Sequence, residues 1–481
     1  MFLNRPTNEK DETTLRAKLR WLPSEKTTVD FQFTLNDIDN GYDAFSLDNT
    51  RDTLSDEPGF DQQESKAFNL KINTLLSSGI IMETLLAHAN SDIAYGYDED
   101  WAYVGIHPWE YSSTDHYFRD RDTTSAELRF LSGDNTKLFN TTDWVAGIYS
   151  LQQSVDLNRV YTYLSSPYTS TYELNRLAAY ADTSAPLSDN IVLETGLRIE
   201  SFEGDYNDSD ALIFSPNETL FGGRLALNYL LDDASKIYAS LSRGYKTGGF
   251  NIDGSLDADL REFDSEQLWN YELGYKANLL NNQLSLQAAL FYMDRDDVQI
   301  SSSTTRLRSN GSTEFIDFIG NAAAGNNYGL ELNTNWQVNS QLAMYANLGL
   351  LETEYENFIN STGDNLDGRE QAHAPNYQFN AGISYLFTEN LEANLWVQGK
   401  DSYYFSDSHD IQSSAYEIWN LSIAYQFENW RVSAWGRNLS DKDYAVRGFY
   451  FGNDPRDFYT AKGYTQLGEP RRYGITVKYD Y

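Results

Sequence analysis

The 481-residue chain has no cysteine, only 10 prolines, 5 histidines, and half as many basic residues (36) as acidic ones (71). Each shortage excludes something. Without cysteine there are no disulfide staples and no thiolate metal sites. The net charge of −35 argues against a nucleic-acid partner, whose phosphates require Lys and Arg, and gives no basic patch for a membrane surface. No apolar run approaches the roughly 18 residues of a spanning helix, so an α-helical membrane protein is excluded. No Pro/Ser-rich linker divides the chain, which favours one continuous domain over residues 1–481. The start, Met1 to Pro6, has no apolar stretch resembling a signal peptide, so an exported protein is expected to have its true beginning upstream.

What is present is aromatic. With 35 Tyr, 25 Phe and 10 Trp the chain is 15% aromatic, yet its mean hydropathy is −0.56. These residues alternate with polar ones. Tyr473, Ile475, Val477, Tyr479 and Tyr481 fall on one face of a strand and Gly474, Thr476, Lys478 and Asp480 on the other. The same period governs Trp419, Leu421, Ile423, Tyr425 and Phe427; Phe379, Ala381, Ile383, Tyr385 and Phe387; and Val29, Phe31, Phe33 and Leu35. One such strand would suit a soluble core equally well. Repetition with aromatics at the ends of the apolar set instead predicts an all-β, antiparallel up-and-down transmembrane barrel, whose girdles place rings in lipid and polar atoms at the headgroups.

About nineteen strands, most of roughly 10 to 16 residues, are readable. Short connections at Pro23 to Lys26, Ser77 to Gly79, Asp232 to Ser235, Asn281-Asn282, Asn339-Ser340 and Thr388 to Asn390 alternate with long ones. The long ones are Asp39 to Ser65, Asp98 to Asp122, Asn251 to Asp264, Thr304 to Asn321, Ile359 to Pro375 and Ala445 to Pro470. That rhythm separates periplasmic turns from extracellular loops. The first strand, Thr13 to Leu22, and the last, Arg472 to Tyr481, travel in the same direction, so the count is odd. An even-stranded parent of about 22 strands, the size with a plugged lumen, implies three further strands at the front.

Several segments together carry a family resemblance. They are Ser242 to Asn251 (SRGYKTGGFN), Phe263 to Lys276, Gly329 to Leu332, Gly368-Arg369-Glu370 with Ala374-Pro375, Arg437 to Tyr444 and Gly468 to Gly474, with Asp39 to Asp43 in the first half. In that order they resemble the β-barrel of a TonB-dependent outer-membrane receptor. The resemblance implies the outer membrane of a Gram-negative bacterium and energy-coupled uptake of a scarce, bulky ligand, a ferric siderophore above cobalamin or an oligosaccharide. It implies outer-membrane lipid, lipopolysaccharide and the barrel-assembly machinery as partners, the last reading the C-terminal aromatic strand. The family's N-terminal plug and TonB-binding segment are not found in the sequence, so the expected TonB contact, an added strand, falls to a region outside it. No cofactor is implied.

Ligand-binding candidates are aromatics that stack on rings and cations that pair with anionic chelates: Tyr42, Phe45, Trp101, Trp109, Tyr111, Arg119, Arg121, Arg306 and Arg308. Each competes with an ordinary role in loop packing. Arg243, Gly244, Lys246, Gly248 and Gly249 form a candidate structural motif, the glycines allowing positive φ or close backbone approach. Arg437 beside Asn438 is expected to face the lumen near a carboxylate. Two other functions compete with uptake. A passive porin-like channel explains the barrel but not the ordered motifs. A secreted carbohydrate-active enzyme would use carboxylates such as Asp294, Asp296 and Asp297, yet with 71 acidic residues such groupings arise by chance. Asp115-His116 with Asp120 and Asp122, and Asp407 to Asp410, are cation candidates that loop solvation explains better.

Overall fold

Period-two alternation becomes one continuous antiparallel sheet in the computed structural model, which describes residues 6–43 and 45–480. Nineteen long strands, from Glu12–Ser24 to Arg472–Tyr479, each pair with the next along the chain. A two-residue strand, Ile213–Phe214, adds to the edge of Ile191–Asp208. No described helix is long and apolar enough to cross a membrane.

Register turns each strand's apolar face into a belt. One row reads Trp21, Val29, Ile72, Thr84, Leu128, Ile148, Ala179, Ile199 and Phe221 across nine strands, with a single polar member. Near the end of the chain Tyr385, Ala393, Ile423, Ala434 and Ile475 form another. Tyr473, Ile475, Val477 and Tyr479 stand exposed on this face; Tyr481 lies outside the described residues. The opposite face carries cross-strand ion pairs, Arg20–Asp30 at 2.6 Å and Arg431–Glu392 at 2.7 Å, as a wet lumen wall requires. Glycines on that face admit flat rings: a Cβ on Gly274 would sit 2.2 Å from the Tyr238 ring.

The sheet curls until its two ends meet through loops. Arg51, after the second strand, bonds Asp443 at 2.8 Å, and Arg456 bonds Asp48 at 2.7 Å. The ribbon Ala445–Phe451 with Lys462–Leu467 thus packs against the first long loop, burying Phe45, Leu47, Trp101, Phe451 and Tyr464 together. Between the first strand and the nineteenth there is no pairing among the described residues; eighteen antiparallel steps leave the two running in the same direction.

Two expectations need correction. Strand lengths span 8 residues in Trp430–Arg437 to 25 in Thr313–Gln337, wider than the 10 to 16 expected. The predicted loop Thr304 to Asn321 is mostly strand: Leu284–Leu307 and Thr313–Gln337 stay paired up to Leu307 opposite Thr313. Beyond the bilayer no lipid imposes alternation, so polar stretches such as Ser301 to Thr305 remain in the ladder without its sequence signature.

Candidate functional site

Above the lipid belt the two faces exchange character. On Asp143–Tyr161 the outward set becomes Gln152, Ser154, Asp156 and Asn158, while inward Val155, Leu157 and Tyr161 are buried. Loops fold over this inward apolar surface and leave a cavity of about 230 Å³ at the mouth. Its aromatic walls are Tyr42, Phe45, Tyr95, Tyr97, Trp101, Tyr117, Phe315, Phe449 and Phe451. Phe45 stacks on Trp101 with centroids 5.1 Å apart, Phe449 tilts onto Phe45 at 4.9 Å, and Tyr42 meets Tyr95 edge-on at 4.8 Å.

The charged lining comprises Arg119 and Arg447 with Asp43, Glu99, Asp253 and Asp317. Asp43 takes the Gly59 N–H at 2.7 Å, and burial pushes its carboxyl up to about 7. Glu99 is answered by Arg308 and by the Tyr161 hydroxyl at 3.0 Å; burial still raises it. Beneath the floor, Arg159 and Asp115 form a buried pair at 2.6 Å, and Arg159 also donates to the Asp253 carbonyl and to Ser255 Oγ.

Of the residues singled out from sequence, Tyr42, Phe45, Trp101 and Arg119 come together in this cavity. The others do not line it. Tyr111 is buried and donates to Asn453 at 2.6 Å; Trp109 is exposed and its carbonyl accepts from Tyr459. Arg306 bridges Asp257 and Glu314, Arg308 lies 4.4 Å from the Tyr163 ring centroid, and Arg121 is exposed lower on the strand that carries Arg119. Tyr95, Tyr97 and Tyr117 were missed, although a phase signal existed. They fall on the parity opposite to Leu86 and Ala126, so they continue the lumen face with rings where polar residues had been.

The structural motif divides. Gly248 and Gly249 both pack closely on Phe263, where a Cβ on either glycine would lie 2.7 Å from that residue, whereas Gly244 has open space, and none of the three adopts positive φ. Arg243 donates to the Phe221 carbonyl and to Gln267, and Lys246 stands 3.9 Å from Glu266. Arg437 lies 5.1 Å from the Trp396 centroid, a ring in place of the expected carboxylate. Asn438, almost fully buried, is a staple: its amide donates to the carbonyls of Lys442 and Glu469 and accepts the Lys442 N–H. Asp115 is held by Arg159, Asp120 accepts from Asn90, and Asp407 accepts from Ser302. No grouping suited to a metal ion occurs among the described residues.

Comparison with known proteins gives a consistent answer. The family described as "TonB dependent receptor-like, beta-barrel" matches residues 5–439. The pesticin receptor of Yersinia pestis is 23% identical over 410 residues, covering 80% of this chain and 57% of that protein. The chain therefore spans a little over half the length of such relatives. The ferric yersiniabactin uptake receptor from Yersinia pestis superposes with a TM-score of 0.81 at 20% identity, over 98% of this chain and 71% of that one. A siderophore receptor from Acinetobacter baumannii gives 0.78 at 16% identity, over 98% and 74%.

Proposed function

The chain belongs to the TonB-dependent receptor-like β-barrel family, and from that premise we propose that it forms the barrel of a receptor for TonB-coupled uptake of a ferric siderophore. The family lives in the outer membrane of Gram-negative bacteria and consists of transporters, not enzymes; the apolar belt of this sheet meets that lipid. The observation that carries the cargo reading is the mouth. Loops that follow strands far apart in sequence converge on an aromatic cavity whose wall holds Arg119 and Arg447 beside four carboxylates, rings and charged groups able to stack on and hydrogen-bond a conjugated chelate. Two of the proteins named above, one described as a ferric yersiniabactin uptake receptor and one as a siderophore receptor, support the same direction.

The test is uptake. Supplied as part of a full-length receptor to an iron-limited host without siderophore receptors of its own, the barrel is expected to support TonB-dependent growth on at least one ferric chelate. Growth on none of a broad siderophore panel, together with uptake of a vitamin or a sugar oligomer, would replace the iron reading and keep the transporter class.

A further inference from the structure

The connections at the periplasmic end are short, with one exception. Eight of the nine between long strands have two to five residues, whereas Ser132 to Thr142, joining Thr114–Leu131 to Asp143–Tyr161, has 11. Its outer part is a small hairpin. Leu138 and Thr142 exchange backbone hydrogen bonds, each at 2.9 Å, and Phe139 and Asn140 turn the corner with φ of 51° and 64°. A tight turn with positive φ at both central positions favours Asn-Gly or Asp-Gly. Asn140 suits such a corner and Phe139 does not, because a bulky side chain in the left-handed region is strained.

The strain brings no contact within the protein. Phe139 is 91% exposed, more than any other large apolar side chain among the described residues, and no other described ring touches it. Leu138 beside it is 46% exposed. Yet the hairpin is firmly built. Lys137 pairs with Asp143 at 3.0 Å, the Gly133 N–H donates to Thr136 Oγ1 at 2.8 Å, and the Trp144 indole donates to the Thr136 carbonyl at 2.9 Å. Gly133 packs so closely on the neighbouring turn that a Cβ would lie 2.2 Å from the Gly79 carbonyl oxygen. A rigid base that holds a strained, uncovered ring in one place has a cost that water does not offset, so the partner of the ring lies outside the chain.

Register shows what lies there. Trp144 shares the lipid-facing parity of Ala146 and of Ile148, a member of the apolar belt. Thr142 and its directly opposed partner Leu138 keep that face, while Lys137 and Asp143 take the other. The hairpin therefore prolongs the lower edge of the belt, with Trp144 as the girdle ring at the junction. We infer that Leu138 and Phe139 form a membrane anchor, in which the tip lies at the headgroup and acyl boundary of the periplasmic leaflet and fixes the depth of this sector of the barrel. The occupant is phospholipid, because the hairpin is continuous with a surface already in lipid.

The absence of cysteine lets a single label report on the tip. T141C carries a nitroxide beside the ring, in the whole chain reconstituted into vesicles of phosphatidylethanolamine and phosphatidylglycerol. Electron paramagnetic resonance reads its collisions with oxygen, which partitions into lipid, and with a water-soluble nickel chelate. A separate nitroxide at I423C, in the belt, reports insertion under the same conditions, and detergent micelles provide a second apolar phase for the same comparison. With Phe139 present the T141C label is expected to be rich in oxygen collisions and shielded from nickel. Burying a Phe ring favours the inserted tip by about tenfold or more. F139N, whose side chain suits the turn, should accordingly raise nickel collisions several-fold, and F139W should not. The I423C label should be unchanged in both variants. Nickel access that is already high with Phe139 and unaltered by F139N places the tip in water and overturns the anchor, leaving the ring to a periplasmic protein. Shielding that persists in F139N overturns it as well, since the ring then does not set the depth.

Discussion

Ile423 and its neighbour Ser422 separate the two faces of the sheet by one position. Ile423 lies in the row with Ala393 and Ala434 and is 46% exposed, whereas Ser422 pairs with Asn394 and Trp435 on the lumen side. An arginine at the bilayer midplane costs about 2 to 4 kcal/mol, and one in a wet lumen much less. Ile423→Arg is therefore expected to obstruct membrane assembly and Ser422→Arg to be tolerated, read as the fraction of heat-modifiable protein in outer-membrane preparations. Equal yields would undo the assignment of faces. At this scale the belt was legible because one period-two pattern repeats with aromatics at its ends. The mouth was legible only in part. Tyr42, Phe45, Trp101 and Arg119 stand out as rings and a cation in or beside stretches that read from sequence as long loops, although Tyr42 and Arg119 lie on strands, and nothing local announces that Phe449 will touch Phe45. That contact depends on the sheet curling through all its strands.

Single strands were easier to count than to measure. Turn pairs such as Asn281-Asn282, both at positive φ, punctuate the chain and fix the number of strands. Their upper ends escape because the lipid that enforces alternation stops before the strands do. In that upper region the register creates a feature that no single strand displays. Asp37, Glu64, Asp92, Asp120 and Asp156 are successive cross-strand partners, a row of five carboxylates on the outward face. Glu64 has Lys66 at 2.9 Å, Asp120 accepts from Asn90 at 3.1 Å, and Asp156 accepts from Thr171 at 2.6 Å. Asp92 is central and flanked by two like charges. Opposed like charges destabilise a ladder by roughly 0.2 to 1 kcal/mol. Asp92→Asn is thus expected to raise resistance to urea by about that amount at low salt, and the gain should shrink as salt screens the row. A loss of stability, or a gain independent of salt, would mean that the row is not held by repulsion.

For the whole molecule the decisive place is the seam. Glu12–Ser24 is exposed along its full length, as is nearly all of Arg472–Tyr479, and each is paired along one edge only among the described residues. Because the two run in the same direction, joining them directly would make a parallel pair in an otherwise antiparallel sheet. An antiparallel closure needs an odd number of strands between them. Left open in hydrocarbon, each unpaired amide or carbonyl costs several kcal/mol, so this edge is where the sheet is weakest. Successive amides of a strand point to opposite sides, which gives the seam a measurable signature. Hydrogen exchange on the chain in micelles is expected to split Glu12–Ser24 into alternating sets, one protected by Thr27–Tyr42 and one exchanging as fast as a loop. In an interior strand such as Tyr168–Ser188, bonded on both sides, both sets should be protected. Uniform protection along Glu12–Ser24 would show its outer edge paired, and would replace the open seam by a closed, regular barrel.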